Sequence, residues 1–282
     1  MASPNKPPSP EDRYTVRAVQ RALALLQTFL DCDGGLTATE ISKMLKLDPS
    51  TTFRMLVTLQ AQGFVEQSSA TGKYHLGVMC LELGSHYLKN NDLRSRALGV
   101  MEVLRNQFGE TVHLALLEDN EVVYIEKLAG LHPIGLMSSR VGMRSPSYCT
   151  GVGKAMLAHL PKAALTELFP APHLISFTPA TVTDWDSLLW ELEKVRERGY
   201  ALDNQEHEAG VKCVAVPIFN HKGIAAAMSI SGPAERMDQE IQKGRLIEEL
   251  QRAGARISIQ MGGASWLNDR VDARLKLPLE TE

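Results

Sequence analysis

Ser50, Thr51, Arg54 and Thr58 are side chains of the kinds that meet DNA, and they fall in one segment that reads as a helix. Residues three and four apart share a helix face. Thr51, Arg54 and Thr58 therefore lie on one face, and Phe53, Leu56 and Val57 are expected on the other, buried one. Ser50 and Thr51 stand at the helix N-terminus, where free amides and the helix dipole favour phosphate. Arg54 is long enough to bond guanine O6 and N7 in a major groove. Arg17 and Arg21, four apart on an earlier helix, and Lys73 and Tyr74 on a later hairpin are candidate phosphate contacts. Such contacts set register rather than sequence. The plain alternative is a small helical domain whose Arg54 is merely solvated.

A second group is Thr150-Gly151-Val152-Gly153, which opens a helix. Small residues let a ligand approach the backbone, and exposed amides suit an anion. The run into Lys154 is not a Walker A loop, because Ala155 stands where the magnesium-binding hydroxyl belongs. Ser229 and Ser231 alternate on one face of a strand, so both hydroxyls can enter one cavity, and Cys213 begins the neighbouring strand. They could equally satisfy nearby backbone.

Catalysis finds little support. No Gly-x-Ser-x-Gly elbow occurs, and Glu206-His207-Glu208 lies in a charged loop without a His-Glu-x-x-His pattern. Cys32, Cys80, Cys149 and Cys213 are far apart with no Cys-x-x-Cys pair, so zinc and disulfides are not expected. Most read as small buried hydrophobes. No enzyme activity, metal or cofactor is expected.

The elements that must position these residues follow from periodicity. A helix over 14–31 carries Val16, Val19, Leu23, Leu26, Phe29 and Leu30 as its apolar stripe. Thr37 with Glu40 forms a capping box for a short second helix. Asp48-Pro49 starts the third, which ends near Gly63. Phe64–Gln67 and Lys73–Leu76 flank a Gly-containing loop as a hairpin. Three helices and a hairpin are the order of a winged helix-turn-helix, here over 14–76. A linker helix over 77–92 follows, then a helix over Leu93–Phe108 and the strands Val112–Leu117, Val122–Leu128 and Ile134–Ser138. Helices at about 151–160, 162–168 and 184–198 precede strands Cys213–Phe219 and Ile224–Ser231. One helix from Met237 to Met261 closes an α+β domain spanning 93–262. Residues 1–13 and 263–282 read as tails.

At 282 residues, 44% hydrophobic and 22% charged, the chain has room for two globular domains. The net charge of −3 is uneven. Between Arg13 and Lys73 seven Lys/Arg face five Asp/Glu, a weakly basic module on an acidic body, which permits DNA binding. No apolar run is long enough for a membrane span, and the N-terminus lacks an apolar signal core, so a cytoplasmic protein is expected.

The chain resembles the IclR family of bacterial regulators over residues 14–262. The matching segments are Leu36-Thr-Ala-Thr-Glu-Ile-Ser42, Ser50-Thr-Thr-Phe-Arg54, Gln62-Gly-Phe-Val-Glu66 and Tyr74-His-Leu-Gly77. Thr150-Gly-Val-Gly-Lys-Ala155, Arg198-Gly-Tyr-Ala-Leu-Asp203 and Ser229-Ile-Ser-Gly-Pro233 complete them. The resemblance implies a homodimer, often a dimer of dimers, on near-palindromic double-stranded promoter DNA. It also implies a GAF-like C-terminal domain that senses a metabolite. Gly151 and Val152 match that domain's backbone donors, and Asp203, Cys213, Ser229 and Ser231 match the side chains lining its effector pocket.

None of these matched positions is Lys or Arg. A carboxylate would then be held by amides and hydroxyls, with Asp203 accepting from a ligand hydroxyl or amine. A small hydroxy, keto or sugar acid is favoured, with an aromatic acid as another option, and the regulator is read as a repressor of a catabolic operon. Asp203 could instead pair with Arg196 or Arg198. His113 and His207 read as structural or surface residues, and Met137 and Met156 as candidate apolar lining. Two alternatives stay open: a C-terminal domain that only oligomerises, which a collapsed pocket would favour, and a cysteine-dependent enzyme.

Overall fold

The computed structural model describes residues 14–30, 32–131, 137–170 and 173–265. The strand expected over Ile134–Ser138 falls mostly outside them, and Met137 and Ser138 carry no strand. The described chain divides after Asn90 into two units.

The first unit runs α1 (Arg17–Gln27), α2 (Ala38–Leu45), α3 (Pro49–Ala61), β1 (Val65–Gln67), β2 (Tyr74–Leu76) and α4 (Val78–Lys89). Thr37 and Glu40 close the capping box that starts α2. Asp48 accepts from the Ser50 amide at 2.9 Å, with Pro49 as first helical residue of α3. Strands β1 and β2 pair antiparallel, Val65 opposite Leu76.

Two apolar stripes depart from expectation. Of the stripe expected over 14–31 only Phe29, just past α1, is buried, while Val16, Val19, Leu23 and Leu30 are more than half exposed; within α1 itself the buried residue is Leu25. On α3 the inward residues are Thr52 and Leu56, and Phe53 and Val57 are 54% and 48% exposed. The reason is angular: successive residues are about 100° apart on a helix. Shifting the buried stripe by one residue therefore turns Phe53 out and Thr52 in. The Thr52 hydroxyl donates to Asp48 O, which satisfies it and leaves its methyl for the core. Both helices thus carry a second apolar face that this unit does not cover.

The second unit adds α5 (Asp92–Phe108), β3 (Thr111–Glu118), β4 (Glu121–Leu128), β5 (Arg144–Pro146), α6 (Gly151–Leu157), α7 (Lys162–Leu168) and α8 (Trp185–Arg198). It closes with β6 (Ala201–Asn204), β7 (Val211–Asn220), β8 (Gly223–Pro233), α9 (Ala234–Gln242) and α10 (Arg245–Gln260). The six strands form one antiparallel sheet, ordered β5-β4-β3-β8-β7-β6. Ala115, Ala215 and Ala227 face α6 and α8 on one side. On the other side Gly254 brings α10 against Val216. Alternation along the strands gives each helical layer one face of the sheet.

The single closing helix expected over 237–261 is two helices. Gly244, at φ +75, breaks it between α9 and α10, because an L side chain there would be strained. The two edge strands, β5 and β6, were not anticipated. They are three and four residues long, too short to show alternation.

Candidate functional site

On α3 the outward face is Ser50, Phe53, Arg54, Val57 and Thr58, all exposed, with Thr51 half-buried. Arg54 projects from the helix with apolar neighbours beside it rather than behind it. The α3 N-terminus is less open to phosphate than expected. The Ser50 amide and hydroxyl both donate to Asp48 Oδ1, at 2.9 and 2.6 Å. Those bonds hold the Asp48 carboxyl below the usual carboxylate range, so a negative charge already sits there. Thr58 donates its hydroxyl to Arg54 O at 2.8 Å.

Arg17 and Arg21 are exposed and Lys73 is half-buried. Tyr74 is not available as a phosphate contact. It is 3% exposed and belongs to the core with Leu25, Ile41 and Leu56, because on β2 alternate positions face the helices.

In the second unit Gly151, Val152, Asp203, Cys213, Ser229 and Ser231 all line one cavity of about 40 Å³. Cross-strand pairing produces this convergence. Ser229 stands opposite His113 on β3, and Cys213 stands opposite both Asp203 and Ser231. Asp203 Oδ1 accepts from the Glu206 amide at 2.7 Å, and Oδ2 accepts from the Cys213 thiol at 3.6 Å. Burial pushes the Asp203 carboxyl up to about 6, against the Glu206 hydrogen bond that holds it down. Neither arginine pairs with it: Arg196 donates to Ala158 O, and Arg198 to Tyr200 O and Glu191.

The glycines are set by packing as well as by any ligand. A Cβ on Gly151 would meet Cys213 Sγ at 3.0 Å, and one on Gly153 would meet Ser147 O at 2.1 Å. The Gly151 backbone, beside the Cys213 sulfur, partly offsets the effect of burial on that thiol. Burial drives the Cys213 thiol well above its ordinary range and Cys149 up to about 12. Burial thus favours the neutral thiol over the nucleophilic thiolate at both positions.

Several cavity residues were missed. His113 is 4% exposed, bonds Ser139 Oγ at 2.9 Å, lies 3.4 Å from Ser231 Oγ, and tilts against the Tyr124 ring. Burial, and secondarily the Lys127 charge, lowers it to about 3, so its ring is neutral. Strand parity was the signal: His113 shares a face with Thr111 and Ala115, opposite Ser229. Met143, Tyr124 and His207 also line the cavity; of the two methionines expected at its apolar end, Met137 lines it and Met156 is packed in the core. Met137, Ser138 and Ser139 line the cavity and are held by hydrogen bonds. Lys127 donates to Ser139 O, and Ser138 donates to Glu208. Glu206 is not a solvated loop residue but is buried in an ion pair with Lys154.

The family model described as bacterial transcriptional regulator IclR C-terminal matches residues 85–259, and that of the IclR helix-turn-helix domain matches 18–69. The chain belongs to the IclR family. It is 38% identical to the HTH-type transcriptional regulator XynR of Escherichia coli K12 over 248 residues, 88% of this chain and 98% of that one. It is 37% identical to the transcriptional repressor AllR of the same strain over 239 residues, 84% of this chain and 88% of AllR. Among solved structures, an IclR homolog of Microbacterium hydrocarbonoxydans complexed with 4-hydroxybenzoate superposes with a TM-score of 0.74 at 29% identity. That match covers 86% of this chain and 98% of that one.

As an IclR-family protein, the chain is a DNA-binding transcriptional regulator with an N-terminal helix-turn-helix unit and a C-terminal α+β unit. No helix among the described residues is long and apolar enough to cross a membrane.

Proposed function

We propose that this regulator acts as a homodimeric repressor of a catabolic operon and takes a small carboxylate into the cavity ringed by Asp203, His113, Ser229 and Ser231. The burial of those four polar side chains around one cavity carries the reading. Asp203 and His113 are bonded to Glu206, Cys213 and Ser139, yet a carboxyl, an imidazole and two hydroxyls together keep donor and acceptor capacity at the cavity that a purely oligomerising domain has no use for. Asp203 accepts from a ligand hydroxyl, the serines and the neutral His113 offer donors and acceptors, and the amides that open α6 face the carboxylate. At about 40 Å³ the cavity is nearly closed and holds only a few waters, the one feature here that the oligomerising alternative shares. Entry therefore requires the cavity to widen, and a short hydroxy or keto acid requires less widening than an aromatic one.

Dimerisation is supported by uncovered apolar surface. Helix α4 has no buried residue, and its Val78, Leu81 and Tyr87 are more than half exposed, as are Val16, Val19 and Leu23 near and on α1. A second copy covers such faces at a contact residue for residue. AllR, a relative, is named a repressor, which supports repression here. No step of catalysis is assigned.

The test is a thermal-shift screen against small hydroxy, keto, sugar and aromatic acids, followed by DNA titration at fixed salt. A ligand at ~100 times its dissociation constant stabilises the fold by about 2.7 kcal/mol. It should change DNA affinity by a coupling of ~1–3 kcal/mol. Loss of the shift in Ser229→Ala and Asp203→Ala is expected. A hit indifferent to both substitutions places the effector elsewhere.

A further inference from the structure

A crevice of about 580 Å³ opens between α7, α8 and the turn joining β7 to β8. It shares no lining residue with the Asp203 cavity. Leu160, Leu165, Leu189, Leu192 and Ile224 form its floor, and Lys162, Arg196 and Lys222 stand around it against the single acid Glu193. None of the three cations forms an ion pair among the described residues. Arg196 is not a free-swinging chain, because its Nε donates to Ala158 O at 2.8 Å. The volume falls within the ~300–1,000 Å³ of small-molecule sites. Apolar walls with a few convergent charges are what such sites present.

We propose that this crevice is a second ligand site, for an amphipathic organic anion such as an aryl or medium-chain acyl carboxylate. The apolar body lies on the leucines, and the carboxylate meets Arg196, Lys162 and Lys222. Arginine suits a carboxylate through its planar fork of donors. Helix α6 joins the two sites. Its first residues, Gly151 and Val152, line the Asp203 cavity, and Ala158, directly after its last turn, accepts from Arg196. An anion seated on Arg196 therefore bears on the same short helix that borders the other cavity.

The test is calorimetric titration of the full chain with benzoate at constant low salt, with benzyl alcohol as the neutral control. Saturable benzoate binding is expected, about tenfold stronger than that of benzyl alcohol. It should weaken about tenfold in Lys222→Glu and in Lys162→Glu, exposed positions whose variants are checked for unchanged melting. It should persist in Asp203→Asn. Absence of saturable heat into the millimolar range overturns the proposal. So does binding that is indifferent to both lysines and lost in Asp203→Asn, which puts benzoate in the polar cavity.

Discussion

Lys154 Nζ lies 2.5 Å from Glu206 Oε1, with the two side chains 1% and 8% exposed. The pair ties α6 to the turn after β6, and Glu206 in turn donates its amide to Asp203. Glu206 Oε2 has no hydrogen-bond partner among the described residues, and the Asn204 amide reaches Oε1 only at 3.4 Å, so most of this carboxylate's compensation comes from Lys154. Lys154→Met strands a buried charge and should destabilise the second unit by about 3–5 kcal/mol. Trp185 and Trp190 both lie in that unit, and their fluorescence in a denaturant titration reads it. The double variant Lys154→Met/Glu206→Leu should recover much of the loss, since apolar replacement of a buried pair is often neutral. A single-variant loss below about 1 kcal/mol would show that the pair is not holding α6 in place.

Asp203 makes stability fall as pH rises. Its carboxyl is pushed up to about 6, above the ~3.9 of an unfolded chain, so the folded state favours the protonated form. That contribution is fully present below about pH 4 and is lost as pH climbs through 6. A rise of this size corresponds to on the order of 3 kcal/mol. Asp203→Asn abolishes this component, so the stability difference between wild type and variant should change between pH 4 and 7 and be flat above. A difference that is constant across that window rules out a buried, raised Asp203.

The winged unit was legible because its signals are local. Thr37 with Glu40, Asp48-Pro49 and Gly63 each mark a helix end through backbone chemistry within four residues. The cavity was partly legible for a different reason: Ser229 and Ser231 show strand parity, but their partner His113 lies 116 and 118 residues away in sequence. Only the β3–β8 register brings His113 opposite Ser229. Lys154 reads as the end of a false phosphate loop, and nothing local announces that it is the counter-ion of Glu206, 52 positions on. The stripes of α1 and α3 misled because each helix has two apolar faces, and periodicity cannot say which one its own domain covers.

Gly153 and Gly99 should respond to alanine in opposite directions. A Cβ at Gly153 would meet Ser147 O at 2.1 Å, backbone that cannot easily retreat because Ser147 is itself bonded to Asn120 O. Gly153→Ala should lower stability by several kcal/mol, within the ~1–3 kcal/mol or more of core overpacking. Gly99, in α5, has nothing within 4 Å of its Cβ position. Gly99→Ala should stabilise by about 0.5–1 kcal/mol through helix propensity. Paired melting curves settle both, and a tolerated Gly153→Ala would mean that α6 is not seated on the 147–150 turn.

The α3 face can be divided by DNA titration, using fluorescence anisotropy on promoter and scrambled duplexes at several salt concentrations. Arg54→Ala should lose about 1–3 kcal/mol on promoter and less on scrambled DNA, because a base-edge contact carries sequence. Lys73→Ala should weaken both alike and reduce the salt slope by about 1, the signature of one phosphate. Phe53 is 54% exposed beside Arg54, so Phe53→Ala should cost promoter affinity without lowering the melting temperature, as loss of an apolar contact with thymine methyl would. Tyr74→Phe should leave both affinity and salt slope unchanged, since its ring is 3% exposed within the core. A Tyr74→Phe protein that melts normally yet shows a reduced salt slope would place that hydroxyl on the DNA after all.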